Sequence, residues 1–237
     1  MVITGYISYN DENTYKNCVI IIVKFGFNAY LGKIINMRTK EKIKIFTTTI
    51  TAGNHKGKKI EIPDIFTTRS SKGILKESLF NTLQFDIIDK NFVEVFAGSG
   101  SIGLEALSRG AGQCYFMEYN RTAFRCLEGN VKRVDPSKCH LFYGDSFEKF
   151  STVYDIVKKS SEKTYFYFDP PFSTRDGMDD VYDKTIALIE GIEPDVAEMV
   201  IVEHMTNLDM PEKIGALELM KRKKFGRSTM TYYKPKD

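Results

Sequence analysis

The sequence predicts an α/β fold in which helices cover both faces of a doubly wound, mostly parallel sheet. From residue 92 onward, short apolar segments alternate with longer segments of helical periodicity, and this alternation is typical of a parallel sheet. The last two strand-like segments, 217–223 and 228–233, have no helical segment between them. We therefore expect them to form an antiparallel pair that closes the sheet.

The individual elements are predicted in chain order from hydrophobic periodicity and turn residues. The segment before the sheet contains a β-branched strand, a basic turn, a second short strand and a helix with one apolar face, at 47–53, 54–59, 60–63 and 71–83. Runs rich in branched and aromatic residues predict the strands of the sheet at 92–96, 113–118, 139–143, 164–168 and 199–203. Amphipathic runs predict the helices between them at 101–109, 121–133, 147–158 and 178–190.

Composition and pattern divide the chain into three parts. Its 237 residues, 42% hydrophobic and 27% charged, suit one large domain with a small appendage and exclude wholesale disorder. We expect an N-terminal extension of uncertain order at 1–46, which would add a small β-hairpin, then a basic hairpin and helix at 47–85, and a core catalytic domain at 86–237. Residues 1–36 have no clear amphipathic period, so we expect them to pack weakly and to add no catalytic group. Met37 is a plausible natural start.

Two observations bear on compartment and metal content. The most apolar run, 18–31, is too short to span a bilayer and contains Lys24, so the sequence predicts no membrane partner. The four cysteines form no C-x-x-C pair and fit no zinc pattern: Cys18, Cys114, Cys126 and Cys139. We therefore expect free thiols, no bound metal and a cytoplasmic location.

A glycine-rich loop connects the first strand of the sheet to the following helix. Gly98, Gly100 and Gly103 satisfy the pattern G-x-G-x-x-G, which lets the backbone turn sharply and approach a ligand at the amino end of a helix. Glu118 ends the next strand, where a carboxylate can accept both hydroxyls of a ribose. This motif alone fits a nicotinamide dinucleotide and S-adenosyl-L-methionine equally well.

A second motif, Asp169-Pro170-Pro171-Phe172, follows the fourth predicted strand of the sheet. In a doubly wound sheet this strand lies beside the first, so the motif would lie next to the glycine loop, where ligands bind. The prolines remove two amide donors and leave carbonyl acceptors, while Asp169 adds a carboxylate and Phe172 a flat ring. Acceptors beside a stacking ring suit an exocyclic amino group on a planar base.

The two motifs together resemble a known family. Asp-Pro-Pro-Phe is similar to the (Asn/Asp)-Pro-Pro-(Tyr/Phe) motif of amino-group methyltransferases, and residues 96–111 look like the cofactor loop of the RsmD-type bacterial 16S rRNA (guanine-N2)-methyltransferases. Further stretches resemble other parts of that family, at 50–60, 68–69 with 76–81, and 224–226. The resemblance runs from about residue 47 to the end. It departs at Ser70 and at Gly73-Ile74, where the family usually has Pro and Asp-Arg.

The resemblance implies a class I methyltransferase (Rossmann-like) fold, with S-adenosyl-L-methionine as the cofactor. The cofactor would be held by residues at the ends of the first three strands of the sheet and in the loops directly after them. These residues are Glu94, Phe96, Gly98, Ser99, Gly100, Glu118, Asp145 and Ser146. Glu94 and the glycine loop would bind the methionine part, and Glu118 the ribose. Asp145 would accept from the adenine amino group, and it can also cap the helix that follows.

The implied reaction transfers a methyl group to the exocyclic N2 of a guanine in 16S ribosomal RNA. The catalytic residues would be those of the second motif: Asp169, Pro170, Pro171 and Phe172. Asp169 and the Pro170 carbonyl would accept from the amino group and orient its nitrogen, and Phe172 would stack on a base that has left its helical stack.

A basic cluster before the core domain is the predicted RNA contact. Its members are Lys56, Lys58, Lys59, Arg69 and Lys72. Such side chains can bind phosphates, but a solvated surface is the alternative, and 221–224 is a second candidate. The implied partner is 16S rRNA, either free or within an assembling small ribosomal subunit, and we expect a monomer.

Four other functions remain open at this stage. A DNA adenine-N6 or cytosine-N4 methyltransferase shares the Pro-Pro motif but usually carries a large target-recognition domain. A protein glutamine methyltransferase typically has Asn before the prolines. A non-catalytic RNA-binding assembly factor would not need the cofactor loop, and a nicotinamide oxidoreductase would give the Asp-Pro-Pro-Phe motif no role.

Overall fold

The structure, a computed structural model, describes residues 3–9, 16–25, 29–35, 44–64, 72–171 and 180–236. The chain forms two compact parts, Met1–Ile43 and Lys44–Asp237. In the first part, the described strands β1 (Ile3–Tyr9), β2 (Lys16–Phe25) and β3 (Ala29–Ile35) form an antiparallel sheet in chain order. The predicted N-terminal β-hairpin is confirmed, with one more strand than expected. The weak packing of 1–36 and the division at residues 46 and 85 stay predictions.

The second part begins with an antiparallel hairpin of β4 (Ile45–Thr49) and β5 (Lys59–Pro63). The prediction that the first of these strands reaches residue 53 is wrong. The N–H groups of Thr51 and Ala52 donate to the carboxylate of Glu105, so they are not available to a strand ladder.

The main sheet of the described residues has eight strands in the order β11-β12-β13-β10-β9-β6-β7-β8. The strands are β6 (Asn91–Glu94), β7 (Gln113–Glu118), β8 (Cys139–Tyr143), β9 (Thr164–Phe168), β10 (Ala197–Met205), β11 (Lys213–Ile214), β12 (Leu217–Phe225) and β13 (Ser228–Pro235). Strands β6 to β10 pair in parallel, and β12 and β13 pair antiparallel with each other. The predicted doubly wound sheet with an antiparallel end is therefore confirmed.

Helices cover both faces of this sheet because its central strands are apolar on both sides. The helices are α1 (Lys72–Leu83), α2 (Ser101–Ser108), α3 (Arg121–Val134), α4 (Ser146–Lys159) and α5 (Val181–Glu190). Phe92 and Phe116 pack on the side of α1, α2 and α3, whereas Val93 and Phe166 pack on the side of α4 and α5. Burial of each such side chain stabilises the fold by about 1.5–3 kcal/mol.

The strand order reverses at β6, which lies between β7 and β9. Ligands of doubly wound sheets bind in the crevice outside the carboxyl ends of the strands at such a point. The topology therefore places the glycine loop after β6 and the Asp-Pro-Pro segment after β9 at one edge of the sheet. Among the helices of the described segments, none is both long and apolar enough to cross a membrane.

Candidate active site

The glycine loop makes a tight turn between β6 and α2. Gly98 and Gly100 have φ angles of 55° and 75°, in the left-handed region that favours glycine. A Cβ atom on Gly100 would lie 2.4 Å from Leu127 Cδ1 in α3. The turn therefore needs glycine at Gly100 for two reasons, its backbone conformation and its close approach to the neighbouring helix.

Glu118 ends β7 with its carboxylate against this loop. Its Oε2 accepts from the Gly98 N–H at 2.7 Å, and its Oε1 accepts from the Asn120 N–H at 2.6 Å. Burial raises the pKa of Glu118, and the backbone hydrogen bonds from Asn120, Gly98 and Tyr119 lower it only in part. Each carboxylate oxygen has a second acceptor position, so Glu118 can accept further hydrogen bonds from a ligand.

Glu94, the last residue of β6, is buried below the loop. Its Oε2 accepts from the Gly103 N–H in the first turn of α2 at 2.8 Å. A Cβ atom on Gly103 would lie 2.4 Å from Phe116 Cε1, so α2 packs directly on β7 here. Glu94 therefore links the strand to the amino end of the helix, and its predicted contact with the methionine part of the cofactor stays a prediction.

Two of the predicted cofactor-binding residues, Asp145 and Ser146, lie at the amino end of α4. Asp145 is the N-cap of this helix, and its Oδ1 accepts from the Phe147 N–H at 2.8 Å. Ser146 is buried, and the ring of Phe96 packs edge-on against Phe147 at a centroid distance of 5.4 Å. The capping role of Asp145 is thus present in the structure, and its contact with adenine remains a prediction.

Asp169, Pro170 and Pro171 follow β9, beside the glycine loop. The Val95 N–H donates to the Tyr167 carbonyl at 2.9 Å, so β6 and β9 stay paired up to the start of the loop. Asp169 is half-buried and Pro170 is buried. The structure thus brings these residues to the same sheet edge as the glycine loop. Phe172, the last residue of the motif, lies outside the described residues.

A buried tyrosine lies among three carboxylates behind this edge. The Tyr167 hydroxyl donates to Glu203 Oε2 at 2.7 Å, and both side chains are buried. Burial raises the pKa of Tyr167 strongly, and the negative charges of Glu203, Asp169 and Glu94 raise it further. Tyr167 therefore stays a neutral donor. Glu203 could not be singled out from the sequence, because it looks like an ordinary polar residue in a mostly apolar strand.

Glu105 in α2 is a fully buried carboxylate that the sequence motifs did not predict. It accepts from the Thr51 N–H at 2.9 Å and from the Thr51 hydroxyl at 2.6 Å, and it forms ion pairs with Lys76 at 3.0 Å and Arg109 at 2.9 Å. These contacts join the basic hairpin, α1 and α2. The only signal in the sequence is a charged residue among the apolar residues of a short helix.

The loop after β4 lies directly on the carboxyl end of α2. A Cβ atom on Gly53 would lie 1.7 Å from the Ser108 carbonyl oxygen, and the Gly53 φ angle is 82°. The Ser108 hydroxyl donates to the Ala52 carbonyl at 2.6 Å and accepts from the His55 N–H at 2.9 Å. The basic hairpin is therefore attached to the helix whose amino end follows the glycine loop.

The predicted RNA-contact residues differ in their surroundings. Lys56 and Lys59 are exposed, whereas Lys58 Nζ donates to the carbonyls of Arg133 and Val134 at the end of α3, at 3.1 and 2.9 Å. Lys58 thus has a structural partner as well as a charge. Two predicted members of the cluster, Arg69 and the side chain of Lys72, lie outside the described residues.

The second basic candidate, 221–224, is engaged only in part. Lys223 Nζ donates to the hydroxyls of Ser78 and Thr82 in α1, and Lys221 lies over the Tyr232 ring. Arg222 and Lys224 are exposed, so both basic segments stay candidates for the RNA surface.

The described part of the chain contains no cluster of three or more histidine, cysteine, aspartate or glutamate residues that could hold a metal ion. Its cysteines, Cys114, Cys126 and Cys139, are free thiols. Burial raises the pKa of Cys139 to about 12 and that of Cys114 well above its usual value, so neither is poised as a thiolate.

The chain is similar to several known proteins. YlbH of Bacillus subtilis (strain 168) is 25% identical over 189 residues, which are 78% of this chain and 97% of YlbH. Ribosomal RNA small subunit methyltransferase D of Buchnera aphidicola subsp. Acyrthosiphon pisum (strain APS) is 32% identical over 143 residues, 60% of this chain and 69% of the relative. The solved structure of the yhhF protein from Escherichia coli matches with a TM-score of 0.63 at 25% identity. The match covers 81% of this chain and 99% of the yhhF chain.

The family model described as Conserved hypothetical protein 95 matches residues 48–234, which is most of the chain. The match lies where the sequence motifs place the RsmD resemblance, and it confirms that resemblance. The likeness to the yhhF structure confirms the class I methyltransferase fold. The chain therefore belongs to the Conserved hypothetical protein 95 family, that of the RsmD-type S-adenosyl-L-methionine-dependent methyltransferases.

Proposed function

We propose that this protein transfers a methyl group from S-adenosyl-L-methionine to the exocyclic N2 of a guanine in 16S ribosomal RNA. The observation that carries the proposal is the position of Asp169, Pro170 and Pro171 beside the glycine loop, at the adjoining ends of β9 and β6. The relative named ribosomal RNA small subunit methyltransferase D supports the substrate class.

The chain's groups at the loop fit the parts of the cofactor. The Glu118 carboxylate would accept the two ribose hydroxyls, and Asp145 would accept from the adenine amino group. In the described residues, neither the Gly98 carbonyl nor the Ser99 N–H is hydrogen-bonded to the protein, so both can bind the methionine part, together with Glu94. When bound, the cofactor supplies an electrophilic methyl group on a sulfonium centre.

The residues after β9 would prepare the target nitrogen. The lone pair of guanine N2 is delocalised into the ring, so the nitrogen is a poor nucleophile until it is oriented. Asp169 and the Pro170 carbonyl would accept its two N–H bonds and direct the lone pair at the methyl group. Transfer would form the N–C bond and break the S–C bond, and Asp169 would accept the proton that the methylated nitrogen loses, or pass it to water.

The RNA would be held on the basic hairpin. Lys56 and Lys59 are exposed there and can release counterions from the phosphates they contact. Glu105 and Ser108 hold the hairpin against α2, so RNA bound to it would lie in a fixed relation to the cofactor loop. We also propose that the enzyme acts as a monomer in the cytoplasm, on RNA that is free or within an assembling subunit.

The test is to compare turnover and cofactor binding in Asp169→Ala. Because Asp169 is assigned to the base, the variant should lose methyl transfer while S-adenosylhomocysteine still binds with a Kd close to that of the wild type. Glu118→Ala is the matched variant on the cofactor side, and it should weaken that binding. Near-normal turnover of Asp169→Ala would remove Asp169 from the reaction.

A further inference from the structure

Asn130 in α3 joins two parts of the molecule that are distant in sequence. Its side chain is fully buried, its Oδ1 accepts from the Glu61 N–H of β5 at 2.9 Å, and its Nδ2 donates to the Glu61 carbonyl at 2.9 Å. The same Nδ2 donates to the carbonyl of Ser99 in the glycine loop at 2.9 Å. One amide group thus binds the backbone of the basic hairpin and the backbone of the cofactor loop.

The Ser99 carbonyl lies just outside α2, so the helix itself gives it no donor. Gly100 is the N-cap, and its carbonyl accepts the first helical hydrogen bond, from the Leu104 N–H at 2.9 Å. The Gly103 N–H, in the first turn, has no acceptor within the helix and is capped by Glu94 Oε2 at 2.8 Å. Asn130 therefore supplies the donor that sets the direction in which the Ser99 carbonyl points.

The other peptide groups of the loop are held by hydrogen bonds on either side of the Gly98–Ser99 peptide. The Gly98 N–H is held by Glu118 at 2.7 Å, and the Gly100 N–H is held by the Ala97 carbonyl at 2.7 Å. The peptide between Gly98 and Ser99 lies between these fixed points. Within the described residues its carbonyl and N–H have no hydrogen bond to the protein. Glu118 on one side and Asn130 on the other thus fix the orientation of the peptide that is left for a ligand.

We propose that Asn130 is a positioning residue for the cofactor loop, which acts through the Ser99 carbonyl and ties the loop to β5 of the basic hairpin. It touches neither the reacting atoms nor the proposed base site. The inference rests on the proposed assignment of this loop to S-adenosyl-L-methionine, and it does not depend on which nucleotide is methylated.

The first test is Asn130→Asp, with S-adenosylhomocysteine binding measured by calorimetry at pH 8. A carboxylate has no donor for the Ser99 carbonyl and repels it, so the Kd should rise by about tenfold or more. KM for S-adenosyl-L-methionine should rise in parallel, while kcat at saturating cofactor changes by less than about threefold. A purely structural role would instead lower the melting temperature and leave the Kd of the folded protein unchanged.

Glu61→Gln is the matched control. The Glu61 side chain forms an exposed ion pair with Arg133, which also donates to Asn130 Oδ1 at 3.0 Å. Replacing Glu61 changes only this side of the amide and leaves all three hydrogen bonds of Asn130 to the backbone in place. Its Kd for S-adenosylhomocysteine should stay within about twofold of the wild type. A folded Asn130→Asp with a Kd equally close to that of the wild type would overturn the proposal.

A measurement on the wild-type protein keeps the proposal testable if Asn130→Asp does not fold. Hydrogen–deuterium exchange should slow in β5 (Lys59–Pro63) when S-adenosylhomocysteine binds, because the Glu61 N–H donates to the side chain that holds the cofactor loop. Unchanged exchange in β5 with saturating ligand would overturn the link. Unaltered ligand binding in Glu118→Ala would instead show that the cofactor lies elsewhere, and the proposal would fall with that assignment.

Discussion

Replacing Glu105 with glutamine should strongly destabilise the protein. Glu105 is fully buried, and its carboxylate is paired with Lys76 at 3.0 Å and with Arg109 at 2.9 Å. It also accepts from the N–H groups of Thr51 and Ala52, at 2.9 and 3.1 Å. Glutamine keeps the shape of the side chain but removes its charge, so Lys76, which is also buried, would lose its anionic partner.

Removing one member of a buried ion pair costs about 3–5 kcal/mol, because the remaining charge stays desolvated. In a domain of about 150–250 residues, each kcal/mol lowers Tm by about 2–4 °C, so the expected loss is roughly 6–20 °C. Urea titration followed by circular dichroism gives the change in unfolding free energy directly, and a thermal scan gives the change in Tm.

Glu61→Gln again provides the control. Glu61 pairs with Arg133 at 2.9 Å, but the two side chains are 39% and 40% exposed, so the pair contributes at most about 1 kcal/mol. Both variants change one glutamate to glutamine at the junction of the hairpin and the core. If Glu105→Gln is no less stable than Glu61→Gln, the buried cluster does not hold the hairpin in place.

The pH dependence of stability gives a second measure of the same cluster. Burial raises the pKa of Glu105, but hydrogen bonds from Thr51 and the charge of Lys76 outweigh this, and the net pKa lies below its usual value. A carboxyl group whose pKa is lower in the folded protein stabilises the fold at pH values above its pKa in the unfolded chain. This stabilisation disappears as pH falls through its pKa in the folded protein. The difference in unfolding free energy between wild type and Glu105→Gln should therefore shrink in acid, and a difference independent of pH would contradict the assignment.

Three further predictions concern ligands. Because burial raises the pKa of Glu118, the affinity for S-adenosylhomocysteine should fall as pH drops through that raised pKa. If Glu118 binds the ribose, calorimetry should find that the affinity of Glu118→Gln lacks this pH dependence. Lys56→Glu with Lys59→Glu should weaken 16S rRNA binding and reduce its salt dependence, whereas an unchanged salt slope in filter binding would place the RNA surface elsewhere. Phe172→Ala should lower kcat/KM for RNA by the equivalent of about 1–3 kcal/mol. An unchanged kcat/KM in steady-state kinetics would show that Phe172 does not stack on the base.

The features that could be predicted from the sequence are those encoded over short distances. The sheet follows from apolar strands that alternate with amphipathic helices, and the tight turn at Gly98 and Gly100 follows from a motif of a few residues. The position of Asp169 next to that turn follows from the rule that β9 lies beside β6 in a doubly wound sheet. Each of these inferences needs a local pattern or a general rule of topology.

The features that could not be predicted depend on partners far away in the chain. Glu105 binds Thr51, and Asn130 binds Glu61, so both look like ordinary helical polar residues until the fold is known. The strand predicted to reach residue 53 stops early for the same reason, because its N–H groups bond to α2. Lys58 likewise looks like a free basic residue, but its amino group caps the end of α3.

The most direct test of the central claim is the identity of the methylated nucleoside. Small-subunit ribosomal RNA that lacks the modification would be incubated with the protein and S-adenosyl-L-methionine, digested, and analysed by liquid chromatography and mass spectrometry. The wild type should produce N2-methylguanosine, and Asp169→Ala should produce none while still binding S-adenosylhomocysteine. The account would be contradicted if the product were a methylated adenine or cytosine, or if DNA were methylated and this RNA were not.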